Sequence, residues 1–193
     1  MTRSGSLIVR IVTMTTLIFG MTAGAWGAGI RILPSSTQVT PGEDFFFDVV
    51  AEGIPAEGLG GAQFRINVTP SSGTVIGVPD LNQAGVSDIA VVTPLLVSPA
   101  VPARSGIGDF FWNGKGPNGI LVMDNETLNN GSALYTFAHT NGAVPPSGNG
   151  SVARFAVRIG SKVKAERIDI TLSDVVLLDD GPAYPLENVT GAT

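Results

Sequence analysis

The chain has one histidine, His139, and no cysteine. A histidine at a strand end can serve as a general base or a metal ligand. Transition-metal sites draw on several nitrogen or sulfur donors, so a single imidazole does not make one. Carboxylates occur in pairs, as glycoside hydrolysis requires: Asp44 with Asp48, Glu166 with Asp169, Asp179 with Asp180. The first two pairs fall on strand faces or turns and the third in a turn, so solvated carboxylates explain them. Asp124-Asn125-Glu126 opens like a calcium loop, but Leu128 and Asn129 stand where a ligand and a glycine are needed. No nucleophile elbow, zinc-protease helix or phosphate-cradling loop is present. The reading is therefore non-catalytic, with no metal and no cofactor. Aromatic residues offer other chemistry. Phe110-Phe111-Trp112, followed by Asn113-Gly114-Lys115-Gly116, could present a ring to a sugar, with Tyr135 and Tyr184 as further candidates. The alternative is that these rings pack beneath a loop. On the carbohydrate reading, Trp112 and Tyr135 are the binding residues.

These side chains need a scaffold, and its pattern is that of strands. In Ile30–Val68, Phe45, Phe47, Val49 and Ala51 share one face, with Asp44 and Asp48 on the other. After a Gly-rich bend, Ala62, Phe64, Ile66 and Val68 alternate with Gln63, Arg65, Asn67 and Thr69. Alternation with period two between Gly and Pro punctuation marks half-buried strands with one wet face. Ser151–Ile159 and Ile168–Leu172 repeat the pattern. Weaker runs lie at 75–78, 89–92, 120–123, 134–138, 175–178 and 186–189. His139 shares the parity of Tyr135 and Phe137. No window sustains helical periodicity with caps. The expectation is one all-β domain: an antiparallel β-sandwich of jelly-roll type with about nine strands.

The first 27 residues read as a secretion signal. Arg3 and Arg10 precede an apolar stretch, Ile11–Met21, and the small residues Ala23-Gly24-Ala25 or Ala25-Trp26-Gly27 suit cleavage. The stretch is short for a bilayer core of roughly 30 Å, so no stable membrane span is expected after cleavage. Residues 28–193 then form the domain, located outside the cell, in the periplasm or in the envelope. The leader carries two of eleven Lys and Arg and none of sixteen Asp and Glu, leaving nine against sixteen, a net charge of −7. An acidic chain without a basic cluster argues against nucleic acid as a partner. An exported chain without cysteine must rely on packing alone. Asn67, Asn125, Asn130, Asn149 and Asn188 head Asn-x-Ser/Thr triplets, which a chain rich in these residues holds by chance.

The order and spacing of these pieces resemble a cohesin domain, the β-sandwich module that binds dockerins on cellulosome scaffolds. The resemblance is carried by Ile30–Val68, by Leu134-Tyr135-Thr136-Phe137-Ala138, by Gly150–Val157, and by Ile168–Leu172 with Asp179-Asp180-Gly181. It covers most of Ile30–Thr193, with 80–131 poorly matched. It implies a nine-stranded jelly roll whose one sheet face docks a dockerin-like or other secreted or envelope protein, in an assembly linked to polysaccharide degradation. That face would include Gln63, Arg65, Asn67, Thr69 and His139. With Phe64 aligned to the family's core aromatic, Gly61 and Gln63 stand where many type I cohesins carry Asn and Asp, and Thr69 where an Asp is common. A changed face implies a changed partner. A carbohydrate-binding module on the same sandwich, or a structural subunit of an envelope assembly, are the other readings of this scaffold.

Overall fold

The structure, a computed structural model, describes residues 27–92, 106–107, 120–126, 128, 130–139, 147–178 and 186–190. Strands there are β1 (Ala28–Pro34), β2 (Asp44–Ile54), β3 (Gly61–Pro70), β4 (Thr74–Val78), β5 (Asp88–Val92) and β6 (Gly106–Ile107). They continue with β7 (Ile120–Asn125), β8 (Ser132–His139), β9 (Gly148–Ile159), β10 (Ile168–Leu178) and β11 (Leu186–Thr190). One sheet has the order β11-β1-β2-β9-β5-β4, with β6 also on β9, and the other is β10-β3-β8-β7. This is the sandwich that the alternating patterns predict. All pairings are antiparallel except β1 with β11 and β4 with β5. Two details were not legible in the alternation. The two-residue β6 continues the line of β5 along β9, and two residues carry no period. The runs 168–172 and 175–178 are one strand, β10, broken in phase between Ser173 and Val176.

The predicted inward sets form the core. Phe45, Phe47, Val49 and Ala51 of β2 are buried with Ala62, Phe64, Ile66 and Val68 of β3 and Ala153, Phe155, Val157 and Ile159 of β9. Aromatic rings join the layers. Phe47 stacks on Phe155 at 4.8 Å between centroids, and Tyr135 meets Phe155 edge-on at 5.0 Å across the two sheets. Phe64 lies 6.0 Å from both Tyr135 and Phe137. Each such ring contributes about 1.5–3 kcal/mol by burial, and each well-placed pair roughly 0.5–1.5 kcal/mol more. Packing of this kind substitutes for the missing disulfides.

The outer face of the larger sheet corrects one expectation. Asp44 and Asp48 are not solvated carboxylates. Register sets Asp44 opposite Arg158 and Asp48 opposite Arg154. Arg154 donates Nε to Asp48 Oδ1 and Nη2 to Asp48 Oδ2, both at 2.7 Å, and Asp48 is only 8% exposed. Arg158 holds Asp44 in the same two-pronged way at 2.5 and 2.8 Å and donates Nη1 to the carbonyl of Leu81 at 2.9 Å. That last bond ties down the 3₁₀ turn Leu81–Gln83, which covers a small second cluster of Val78, Leu81, Ala90, Val92 and Ala156. Four residues along a strand separate the two aspartates by roughly 13 Å. Glycosidase carboxyls sit about 5–9.5 Å apart, so this pair builds structure.

Entry into β8 depends on a turn that only certain residues can make. Asn130 and Gly131 both adopt left-handed backbone, with φ of 54° and 80°. The Gly131 carbonyl accepts from the Val68 amide at 2.6 Å, and a Cβ on Gly131 would lie 2.4 Å from the Val68 oxygen. This docking fixes β8 beside β3.

Candidate partner-binding face

The outer surface of β10-β3-β8 is built from alternate residues of three strands. On β3 the inward residues are core, leaving Gln63, Arg65 and Asn67 half-buried and Thr69 exposed. Register places Gln63 between Val176 and Thr136, Arg65 between Ser173 and Leu134, and Asn67 between Thr171 and Ser132. Thr69 lies opposite Asp169. Four of the five residues expected on this face are thus gathered on one strand, with their cross-strand neighbours defined.

Gln63, Arg65 and Asn67 are satisfied sideways, within the plane of the sheet. Ser132 donates its hydroxyl to Asn67 Oδ1 at 2.9 Å, and Asn67 Nδ2 donates to Ser173 Oγ at 3.1 Å. The Asn67 carboxamide therefore bridges both neighbouring strands. Arg65 donates Nε to Asp174 Oδ2 at 2.8 Å and reaches Glu126 Oε2 with Nη1 at 3.5 Å. The hydrogen bond to Asp174, reinforced by the Glu126 charge, holds the guanidinium above its ordinary pKa against the opposing effect of desolvation. Glu126 is itself pinned, because the same Oε2 accepts from the Leu134 amide at 2.7 Å.

Asp174 owes its position to a β-bulge. Between the pairs Ser173–Arg65 and Val176–Gln63, β10 spends two residues, Asp174 and Val175, where β3 spends Phe64 alone. Asp174 takes the left-handed conformation, φ 51°, which Asp tolerates better than bulkier residues. A bulge re-aims a side chain, and here it turns the carboxylate onto Arg65. The Asp174 carbonyl also accepts from Gln63 Nε2 at 3.4 Å. Sequence reasoning did not single out Asp174, and it weighed Glu126 only as part of a calcium loop. The trace that Asp174 left was the phase slip between the runs 168–172 and 175–178.

The remaining expected residues fare differently. Tyr135 is fully buried between Phe64 and Phe155, so its ring is closed to a sugar, and the carbohydrate assignment is corrected there. Burial pushes its phenol well above the usual value, and its hydroxyl has no partner among the described residues. The physical reason is parity: Ala133, Tyr135 and Phe137 face inward, while Leu134, Thr136 and Ala138 are the half-buried outward set. His139 ends β8 opposite Ile120 of β7, beyond the β3–β8 register pairs that hold Gln63 and Arg65. Trp112 and Tyr184 lie outside the described residues. Among the described residues, no three His, Asp or Glu side chains gather to hold a metal, and no helix is long and apolar enough to cross a membrane.

No protein-family model matches the chain, and no curated protein matches it in sequence. Solved structures do. A type II cohesin domain from the cellulosome of Acetivibrio cellulolyticus superposes with a TM-score of 0.55 at 16% identity, covering 86% of this chain and 94% of that one. The fold is the cohesin fold. Type II cohesin A11 from Bacteroides cellulosolvens gives a TM-score of 0.55 at 15% identity, covering 84% of this chain and 96% of its own. A non-cellulosomal cohesin from the archaeon Archaeoglobus fulgidus gives 0.50 at 15% identity, covering 86% and 88%. Identities this low speak for the cohesin scaffold and leave the surface to be argued from the residues of this chain.

Proposed function

We propose that this chain is an exported, non-catalytic binding module that uses the cohesin scaffold to hold a dockerin-like protein, in an extracellular or envelope assembly linked to polysaccharide degradation. The observation that carries this reading is the outer face of β10-β3-β8. Its Arg65, Asn67 and Ser132 side chains are already paired within the sheet, with Leu134 and Val176 half-buried beside them. A partner that docks there meets side chains held in place before contact, which lowers the ordering entropy lost on binding. Cohesins sharing the fold are known in such complexes: one from Acetivibrio cellulolyticus scaffoldin B with a Cel5 dockerin, and one from ScaC with the ScaB dockerin.

The test is calorimetric titration of the purified chain against dockerin modules encoded by the same organism, with and without calcium. Binding at micromolar Kd or tighter is expected, roughly −8 kcal/mol. Asp174→Asn should weaken it, and Arg158→Gln on the opposite sheet should not. Absence of binding to every such module under both conditions would reject the reading. Polysaccharide binding now rests on Trp112, since Tyr135 is interior. Retention on insoluble polysaccharide that Trp112→Ala abolishes would establish that function instead.

A further inference from the structure

Arg65 is the one cation among the outward positions of β3, β8 and β10, and it is not free. Asp174 meets it from the β10 side and Glu126 from the β8 side. The exposures run opposite to what a cationic anchor needs. The Arg65 side chain is 31% exposed, against 51% for Glu126 and 56% for Asp174. A molecule approaching the sheet meets two carboxylates flanking a recessed guanidinium, a local net charge of −1. Without the extra residue of the bulge, the strand would offer no carboxylate at this point, because its regular outward positions there are Ser173 and Val176. The bulge thus converts a neutral Arg65–Glu126 pair into a bracket that favours cations.

We propose that Asp174 and Glu126 set the charge selectivity of this face, so that it docks an α-helix presenting a lysine or arginine and rejects one presenting a carboxylate. This rests on the binding-face reading above. The occupant follows from shape and charge together. Three adjacent strands span about 10 Å across the sheet, close to the roughly 10–12 Å diameter of a helix with its side chains. A cation placed over the bracket gains two accepting carboxylates whose bonds to Arg65 leave other lone pairs open. An acidic side chain would face them both and could reach Arg65 only by displacing one. Asp174 and Glu126 act here as selectivity residues, and Arg65 positions them flat against the sheet.

The experiment titrates the isotope-labelled protein, at low salt, with two alanine-rich helical peptides of about 20 residues, a length at which helices hold in water. The peptides differ only in a central lysine or glutamate. Backbone amide shifts on β3, β8 and β10 and the Arg65 Nε–H signal are followed. The lysine peptide should bind about thirtyfold tighter, because the exchange spans two unit charges and each at ~4 Å gives about a fivefold factor in water. Asp174→Asn keeps a residue that tolerates left-handed backbone and should bring the two peptides to parity. Adding Glu126→Gln, which still accepts from the Leu134 amide, should reverse the preference. Salt at about 1 M, where the screening length is near 3 Å, should erase it. Equal response of the unmodified protein to both peptides, with shifts confined to this face, would overturn the selectivity and leave the binding face standing. Shifts on no residue of the face with either peptide would overturn both.

Discussion

Replacing Tyr135 by Phe removes one oxygen from the centre of the sandwich, and the surroundings of that oxygen set the sign of the effect. The ring is 0% exposed, edge-on to Phe155 at 5.0 Å, and its hydroxyl meets no partner among the described residues. A buried hydroxyl left unpaired costs about 1–3 kcal/mol relative to solvation in the unfolded chain. Removing it leaves a void of one atom, whose lost dispersion contacts amount to under about 1 kcal/mol. The aromatic contacts with Phe64 and Phe155 survive. Tyr135→Phe should therefore stabilise the fold by about 0.5–2 kcal/mol. Urea unfolding followed by tryptophan fluorescence should show a higher midpoint with an unchanged slope, a shift of about 0.2–1 M for slopes near 2 kcal/mol/M. Thermal unfolding should rise by roughly 2–4 °C for each kcal/mol gained. A midpoint lowered by the equivalent of about 1 kcal/mol or more would refute the argument, since the hydroxyl would then have to be making a bond in the folded protein.

Three further outcomes follow from the same packing. Alkaline titration should separate the tyrosines: burial raises the Tyr135 phenol, so its neutral form favours the fold fully below the unfolded pKa of about 10, and that contribution is lost as pH rises toward the folded value. Phenolate absorbance should thus show one tyrosine ionising only as the fold is lost, and Tyr135→Phe should remove that stage. Gly131→Ala should destabilise by about 2 kcal/mol or more, because its left-handed backbone and the Val68 oxygen 2.4 Å from a Cβ both oppose a side chain; a denaturation midpoint equal to wild type would contradict this. Asp48→Ala should cost about 1–3 kcal/mol, between an exposed and a buried ion pair, and a double-mutant cycle with Arg154→Ala should show coupling of the same order.

The strands β2, β3 and β9 were legible residue by residue, because a side chain's face depends only on its parity along one strand. Phe47, Phe64 and Phe155 are inside for the reason their alternation states. Tyr135 was open to misreading because its aromatic ring suggests recognition, while its parity with Phe137 already pointed to the core. Asp44 and Asp48 were placed on the correct face, yet their pairing with Arg158 and Arg154 depends on register between β2 and β9, which no local pattern contains.

What the sequence determined by itself is the all-β sandwich and the membership of its core, since both follow from a period of two and from turn chemistry within a few residues. What only the tertiary structure decided is the character of the outer face. Arg65 and Asp174 are separated by 109 positions, and Arg65 and Glu126 by 61, so their meeting is a product of strand order and of a one-residue bulge. A side chain's partners across a sheet are set by pairing between distant segments, and that pairing turned a lone arginine into the centre of an acidic bracket.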